Sequence, residues 1–230
     1  MSAWVALSAN AMESESCLLQ PSRTIELSSS VPGVVAEVRT SPGQTVERGE
    51  VLFRLEARPE RAAMEVARAR LEFAQRRIER NETLLSQNLL AAQEQDELET
   101  ERALAELELK QARTLADLKS IRAPVTGTIL ALDVDVGEYV GAEPLARIVV
   151  LDPLEAKLVF SAEYLKAFAP GQVHRLQVQG SDQLLQGAVS FVDPVVDPTS
   201  GTFGVTVEVS NPLGEYTAGL RCGFQKTVPQ

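Results

Sequence analysis

The chain has 230 residues, room for one or two ordinary domains or several small ones in series. Its net charge of -10 argues against nucleic acid as a partner, because phosphate binding needs a basic face. Aromatics make up 5%, too few for a large aromatic-lined pocket, and no run approaches the roughly 18 apolar residues of a membrane-spanning helix.

At the start, Trp4-Val-Ala-Leu7 is a short apolar run, and Ala9-Asn-Ala11 has the small-x-small pattern of a signal-peptidase site. The run is short and no Lys or Arg precedes it, so a signal remnant and a tail both stand as readings. Ser14-Glu-Ser16 before Cys17 does not match a lipoprotein signal. The two cysteines, Cys17 and Cys222, are read either as small buried hydrophobes or, in an exported chain, as a disulfide closing a very long loop.

Gly33-Val-Val-Ala-Glu-Val-Arg-Thr-Ser-Pro-Gly43-Gln-Thr-Val46 returns as Gly127-Thr-Ile-Leu-Ala-Leu-Asp-Val-Asp-Val-Gly137-Glu-Tyr-Val140. In each copy a Gly opens a strand, a second Gly ten residues on makes a turn, and a Val follows three later. Residues 23–55 carry short Val-rich strands between Pro-Gly turns, the texture of a small sandwich or barrel. They are too few to close a core, and residues 121–151 have the same texture, so the second copy supplies the missing half.

Between the copies, residues 58–119 hold one proline, Pro59, and no glycine. Pro59 suits the first turn of a helix. Met64, Leu71, Ile78 and Leu85 recur every seven residues, with Ala67 and Ala74 between them, which is a heptad seam. The spacing predicts a helix to about residue 87, a reversal at 88–91, and a return helix whose facing stripe is Leu98, Ala105, Leu109, Ala112 and Ala116. Each helix would run about 30 residues, roughly 45 Å. The outgoing segment carries seven Arg against five Glu, the return segment four basic against eight acidic residues. Opposite signs favour an antiparallel hairpin over pairing of like helices.

After residue 151 the alternation of Leu154, Ala156, Leu158 and Phe160 predicts a strand. Residues 161–168 read as a short helix capped by Ser161 and stopped by Pro170-Gly171. Phe203, Val205, Val207 and Val209 predict another half-buried strand, preceded by a turn-dense loop from Asp193 to Gly201.

The residues point to no catalytic, cofactor or metal site. His174 is the sole histidine, in a predicted strand with no Cys or Asp pattern nearby, which excludes a His-rich metal site and argues against a Ser-His-Asp arrangement. Asp193 and Asp197 precede prolines and read as turn formers rather than cation ligands. No Gly-x-Gly-x-x-Gly, phosphate loop or Cys-x-x-Cys is present. The paired Gly-turn strands resemble lipoyl and biotinyl carrier domains, but no Lys precedes Lys110, so the acceptor amine of a carrier is missing.

Val31-Pro-Gly-Val-Val35, Pro42-Gly-Gln-Thr-Val-Glu-Arg-Gly-Glu-Val-Leu52 and Ile121-Arg-Ala-Pro-Val-Thr-Gly-Thr-Ile129 occur in that order. Val189-Ser-Phe-Val-Asp-Pro-Val-Val-Asp-Pro-Thr-Ser-Gly-Thr-Phe203 and the Asn211-Pro to Ala218-Gly-Leu ending follow them. With a coiled-coil hairpin between split halves, this order resembles the periplasmic adaptor (membrane fusion) proteins of the HlyD-like family, of the type serving RND tripartite efflux pumps. The resemblance implies an elongated multi-domain mixed α and β chain. Its parts are an N-terminal segment (1–20, signal remnant and barrel strand), a lipoyl-like β-sandwich (21–57 plus 121–151), an antiparallel coiled-coil α-hairpin (58–120) and a small β-barrel (152–230).

It also implies a periplasmic protein of a Gram-negative envelope, with an inner-membrane transporter and an outer-membrane channel as partners and a homo-oligomeric ring, commonly of six. The hairpin tip would meet the channel through Arg80, Leu84, Leu89, Leu90 and Ala91. Family tips carry Arg, then Leu four residues on, then Ser seven further; Arg80 and Leu84 fit that pattern and Ala91 lacks the hydroxyl. A strand from the N-terminal segment in the barrel would bring Cys17 toward Cys222. An adaptor of an ATP-driven exporter or type I secretion system, and a self-assembling coiled-coil scaffold, are the other readings.

Overall fold

The computed structural model describes residues 14–86, 92–180 and 184–225; the apolar run at residues 4–7 and the small-x-small site at 9–11 lie outside them. The chain divides into two compact units, one built on residues 26–125 and 131–147, the other on 14–25, 126–130 and 148–225.

In the first unit the two repeat copies meet. β2 (Gly33–Val38) pairs with β4 (Val51–Leu55), Val35 opposite Leu55 and Val38 opposite Phe53, while β3 (Thr45–Val46) lies between them in the chain and β1 (Ser16–Ser28) precedes them. β4 also pairs with β5 (Ser120–Arg122), which follows the helices α1 (Arg58–Ser86) and α2 (Ala92–Asp117). After β6 (Gly127–Leu132) comes β7 (Tyr139–Val140), and β7 pairs with β2, Gly33 opposite Val140, so a strand of the second copy lies directly on a strand of the first. The sheet order is β5-β4-β2-β7. Val35, Val46, Leu52, Phe53 and Leu55 are buried beneath it, with Ile121 and Val140 from the second copy.

The repeated glycines serve two ends. Gly43 (φ 84°) and Gly137 (φ 93°) sit in the left-handed region of their turns, where a side chain is strained. Gly127 has ordinary φ but no space: a Cβ there would lie 2.6 Å from the carbonyl oxygen of Val149. Gly33 is tight only against movable side chains, Leu55 Cδ1 at 3.2 Å and Lys119 Nζ at 3.4 Å. Gly127→Ala should therefore destabilise by about 1–3 kcal/mol. Gly33→Ala should fall clearly below that; equal urea midpoints for the two variants would contradict this account.

The second unit is all β apart from one turn of 3-10 helix. β8 (Pro144–Ser161) carries the predicted Leu154-to-Phe160 alternation inward. The sheet continues through β9 (Val173–Val178), β10 (Leu184–Val192), β11 (Thr202–Val209) and β12 (Cys222–Gln225) in the order β12-β9-β10-β11-β8. β1 pairs with β8 on one side. On the other, the Leu19 amide donates to the Leu220 carbonyl at 2.9 Å and the Gly219 amide to the Leu19 carbonyl at 2.7 Å. β1 thus joins the two ends of the sheet, and Cys17 and Cys222 are bonded as a disulfide at that junction.

At the centre Phe160, Phe168, Phe203 and Phe224 cluster, with ring centroids 4.5 to 6.2 Å apart. The predicted helix after Ser161 is instead a 3-10 helix, Ala162–Ala167, and the Ser161 hydroxyl makes no cap bond. Ser161 is the last residue of β8, opposite Thr202, and the Ala162 amide is taken by the Gly201 carbonyl across the sheet at 2.9 Å. Asn211, 4% exposed, stitches the last loop: its side chain donates to the Leu151 and Tyr216 carbonyls and accepts from the Tyr216 amide, each at 3.0 Å.

Candidate docking surface

The paired helices rise from the sheet of the first unit, and their root is fastened. The Ala57 and Arg58 amides both donate to Glu56 Oε1 at 3.1 Å, and the Arg58 guanidinium lies 3.0 Å from the same oxygen. That guanidinium, with the amide donors, holds the Glu56 carboxyl below the usual carboxylate range. Just beyond α2, the Lys119 carbonyl accepts from the Leu55 amide of β4 at 2.8 Å. The Lys119 ammonium donates to the Pro32 carbonyl at 3.0 Å and lies 3.3 Å from Glu60 in the first turn of α1. Lys119 is 14% and Glu60 24% exposed, so this pair is less screened than surface pairs, and one lysine ties both helix ends to the lead-in of β2.

Along the hairpin the predicted seam is the buried one. Ala67 and Ala74 on α1, and Leu98, Ala105 and Leu109 on α2, are buried; Met64, Leu71, Ile78, Ala112 and Ala116 are half-buried. Two ion pairs cross between the helices, Arg70 with Glu108 at 3.0 Å and Arg77 with Glu101. Both are exposed enough to contribute little energy each, and their effect is on register and pairing.

The sequence contains a second apolar surface that the heptad reading passed over. Val66 (57% exposed) and Phe73 (50%) are seven residues apart on α1, off the seam, and Leu104 (57%) lies off the seam of α2. The three line one groove of about 630 Å³, with Arg70 and Glu108 beside them. Leu107 and Leu115 on α2, and Leu118 just beyond its end, extend the exposed leucines. The seven-residue spacing of Val66 and Phe73 was available as a signal and was masked by the stronger seam.

Of the predicted tip residues, Arg80 is exposed near the end of α1 and Leu84 belongs to the same helix. Leu89, Leu90 and Ala91 lie outside the described residues.

The polar residues singled out for chemistry have structural occupations. His174 packs between Phe168 and Phe224, at 5.6 and 5.1 Å between ring centroids. Among the described residues neither of its nitrogens has a hydrogen-bond partner, and burial pushes the imidazole pKa down. Asp197 accepts from the Thr199 amide at 2.7 Å and the Ser200 amide at 3.2 Å, and these donors hold its carboxyl below the ordinary value. Asp193 accepts from the Gly204 amide at 3.0 Å. Among the described residues no group of three or more His, Cys, Asp or Glu is placed to hold a metal ion, and no helix is long and apolar enough to cross a membrane.

The family model for the CzcB-like barrel-sandwich hybrid domain matches residues 23–150, more than half of the chain. A probable efflux pump periplasmic linker protein, SepA of Pseudomonas putida, is 27% identical over 215 residues, covering 86% of this chain and 56% of the relative. The multidrug resistance protein MdtE of Escherichia coli is 26% identical over 237 residues, covering 87% of this chain and 61% of its own length. The chain spans about half the length of the curated relatives it matches. Among solved structures, a MacA-MexA chimeric protein carrying the Pseudomonas aeruginosa MexA α-hairpin domain superposes with a TM-score of 0.75 at 17% identity, over 92% of this chain and 80% of the other. The membrane fusion protein Spr0693 of Streptococcus pneumoniae gives a TM-score of 0.72 at 19% identity, over 94% and 98%. At these identities the structural likeness establishes the fold.

Proposed function

The chain belongs to the CzcB-like barrel-sandwich hybrid family, and from that premise we propose that it is a periplasmic adaptor, a non-catalytic coupling subunit between an inner-membrane exporter and an outer-membrane channel. Its envelope is that of a Gram-negative bacterium, its cargo small molecules, and its exporter of the RND type. The observation that carries the reading is a pair of helices fastened at their root to a sheet built from two sequence repeats, an arm on a scaffold. The wider relatives named as efflux linkers support the same role. In this reading the layout is a lipoyl-like sandwich, a coiled-coil hairpin and a β-barrel completed by the N-terminal strand, and copies of the chain assemble in a ring, with six as the expected number.

A carrier role is disfavoured on chemistry. The repeat halves offer no exposed lysine at the position where a carrier would present one, and Lys119 is committed to Glu60 and the Pro32 carbonyl.

The test is a photo-reactive amino acid at Leu84 or Leu90 in living cells, which leaves the Cys17–Cys222 bond intact. Capture of an outer-membrane channel protein is expected. Capture of an ATP-driven exporter's channel would move the protein to the type I secretion variant. Capture only of other copies would replace the bridging role with a self-assembling scaffold.

A further inference from the structure

Cys17 and Cys222 are the only cysteines in the chain, so oxidation has a single disulfide product, and an oxidant is needed without any reshuffling activity. Their Cα atoms are 4.8 Å apart across 205 residues of sequence. The two sulfurs meet different surroundings. Cys17 is 5% exposed, within the apolar core beside Leu19 on β1. Cys222 opens β12 and is only half-buried.

Cys222 lines two surface grooves, one of about 700 Å³ and one of about 650 Å³; Cys17 reaches only the first. The second groove lies between residues 177–180 and 221–223. Exchange requires a thiolate to reach a sulfur, and which sulfur it reaches decides the course of the reaction.

We propose that the Cys17–Cys222 pair is a substrate of a thioredoxin-like dithiol/disulfide protein, and that exchange enters at Cys222 with Cys17 as the buried resolving thiol. In formation, the Cys222 thiolate attacks one sulfur of the partner's disulfide, and the partner's other sulfur leaves as a thiolate. The Cys17 thiolate then attacks Cys222 Sγ, and the partner's first sulfur leaves. The two protein thiols lose two electrons and two protons; the partner's disulfide takes them up and ends as a dithiol. Reduction runs the same path backwards, with the partner's thiolate attacking Cys222 Sγ and Cys17 leaving. The bond is then a covalent latch on β1, whose remaining ties there are the hydrogen bonds to residues 219–220 and the pairing with β8.

Two measurements on the full chain test this, neither depending on efflux. Brief alkylation of the reduced protein under native conditions, followed by peptide mass analysis, should label Cys222 at least about tenfold faster than Cys17, with the preference lost in denaturant. The oxidised, folded chain, mixed with a thioredoxin-like protein whose second active-site cysteine is replaced by serine and quenched in acid, should yield a mixed disulfide on Cys222. An adduct mainly on Cys17, or on neither cysteine, would overturn the proposal. The second measurement stands even if the reduced chain loosens enough to equalise the alkylation rates.

Discussion

Phe160→Ala should lower the stability of the second unit by about 3–5 kcal/mol, the upper range for losing a buried aromatic ring. Phe160 has no exposure and contacts each of the other three rings, 4.5 Å from Phe168, 5.2 Å from Phe224 and 6.2 Å from Phe203 between centroids. The cost of such a deletion depends on whether the neighbours collapse into the gap. Here they are held by separate backbone elements. Phe203 is fixed in β11 directly opposite Phe160, Phe224 in β12 against Leu176, and Phe168 at the exit of the 3-10 helix. Phe203 and Phe224 cannot move inward without breaking their own strand pairing, so the cavity persists.

Phe191, 52% exposed, is the control, and its replacement by Ala should change stability by about 0.5 kcal/mol or less. Because the two units need not unfold together, amide exchange in β8 and β11 is the readout that isolates this effect. A loss under about 1.5 kcal/mol would mean that the four rings do not form one rigid centre.

What the sequence revealed was local, and what it hid was not. The turn glycines at 43 and 137 were legible because the left-handed backbone they adopt is imposed within each turn. The hairpin seam was legible because side chains seven residues apart on a helix face the same neighbour. The joining of residues 219–220 to β8 through β1 was expected only from the family resemblance and not from any local pattern, because the strand partners lie far apart in the chain.

Asn211 shows the same limit. Nothing in its neighbourhood announces that it will satisfy two carbonyls and an amide from inside a core. Ser161 fails in the opposite sense. It has the right residue type for a cap and the wrong surroundings, because strand pairing already commits its backbone. For the candidate docking surface, Arg80 is exposed on α1, while the groove of Val66, Phe73 and Leu104 went unread because apolar residues off a seam look like ordinary surface.

Ala74→Glu should open the hairpin, with a loss of at least about 3 kcal/mol from the seam and loss of export in cells. Ala74 is 2% exposed on the face of α1 turned to α2, where a small side chain lets the helices approach. Glutamate there must either push the helices apart or keep a carboxylate out of water. The cations nearest along α1 do not relieve it, since Arg70 is paired with Glu108 and Arg77 with Glu101. A new carboxylate that took either Arg would strand the acidic partner on α2, which is the helix already rich in negative charge.

Gln75→Glu places the same charge one residue away on the exposed side and should stay within about 0.5 kcal/mol of the parent. Far-ultraviolet circular dichroism through a urea titration separates the two variants, and drug accumulation in cells supplies the functional readout. Retained helicity in Ala74→Glu would mean that the seam is not what holds the helices together. Lost helicity with normal export would leave the fold account standing and remove the hairpin from the bridging role.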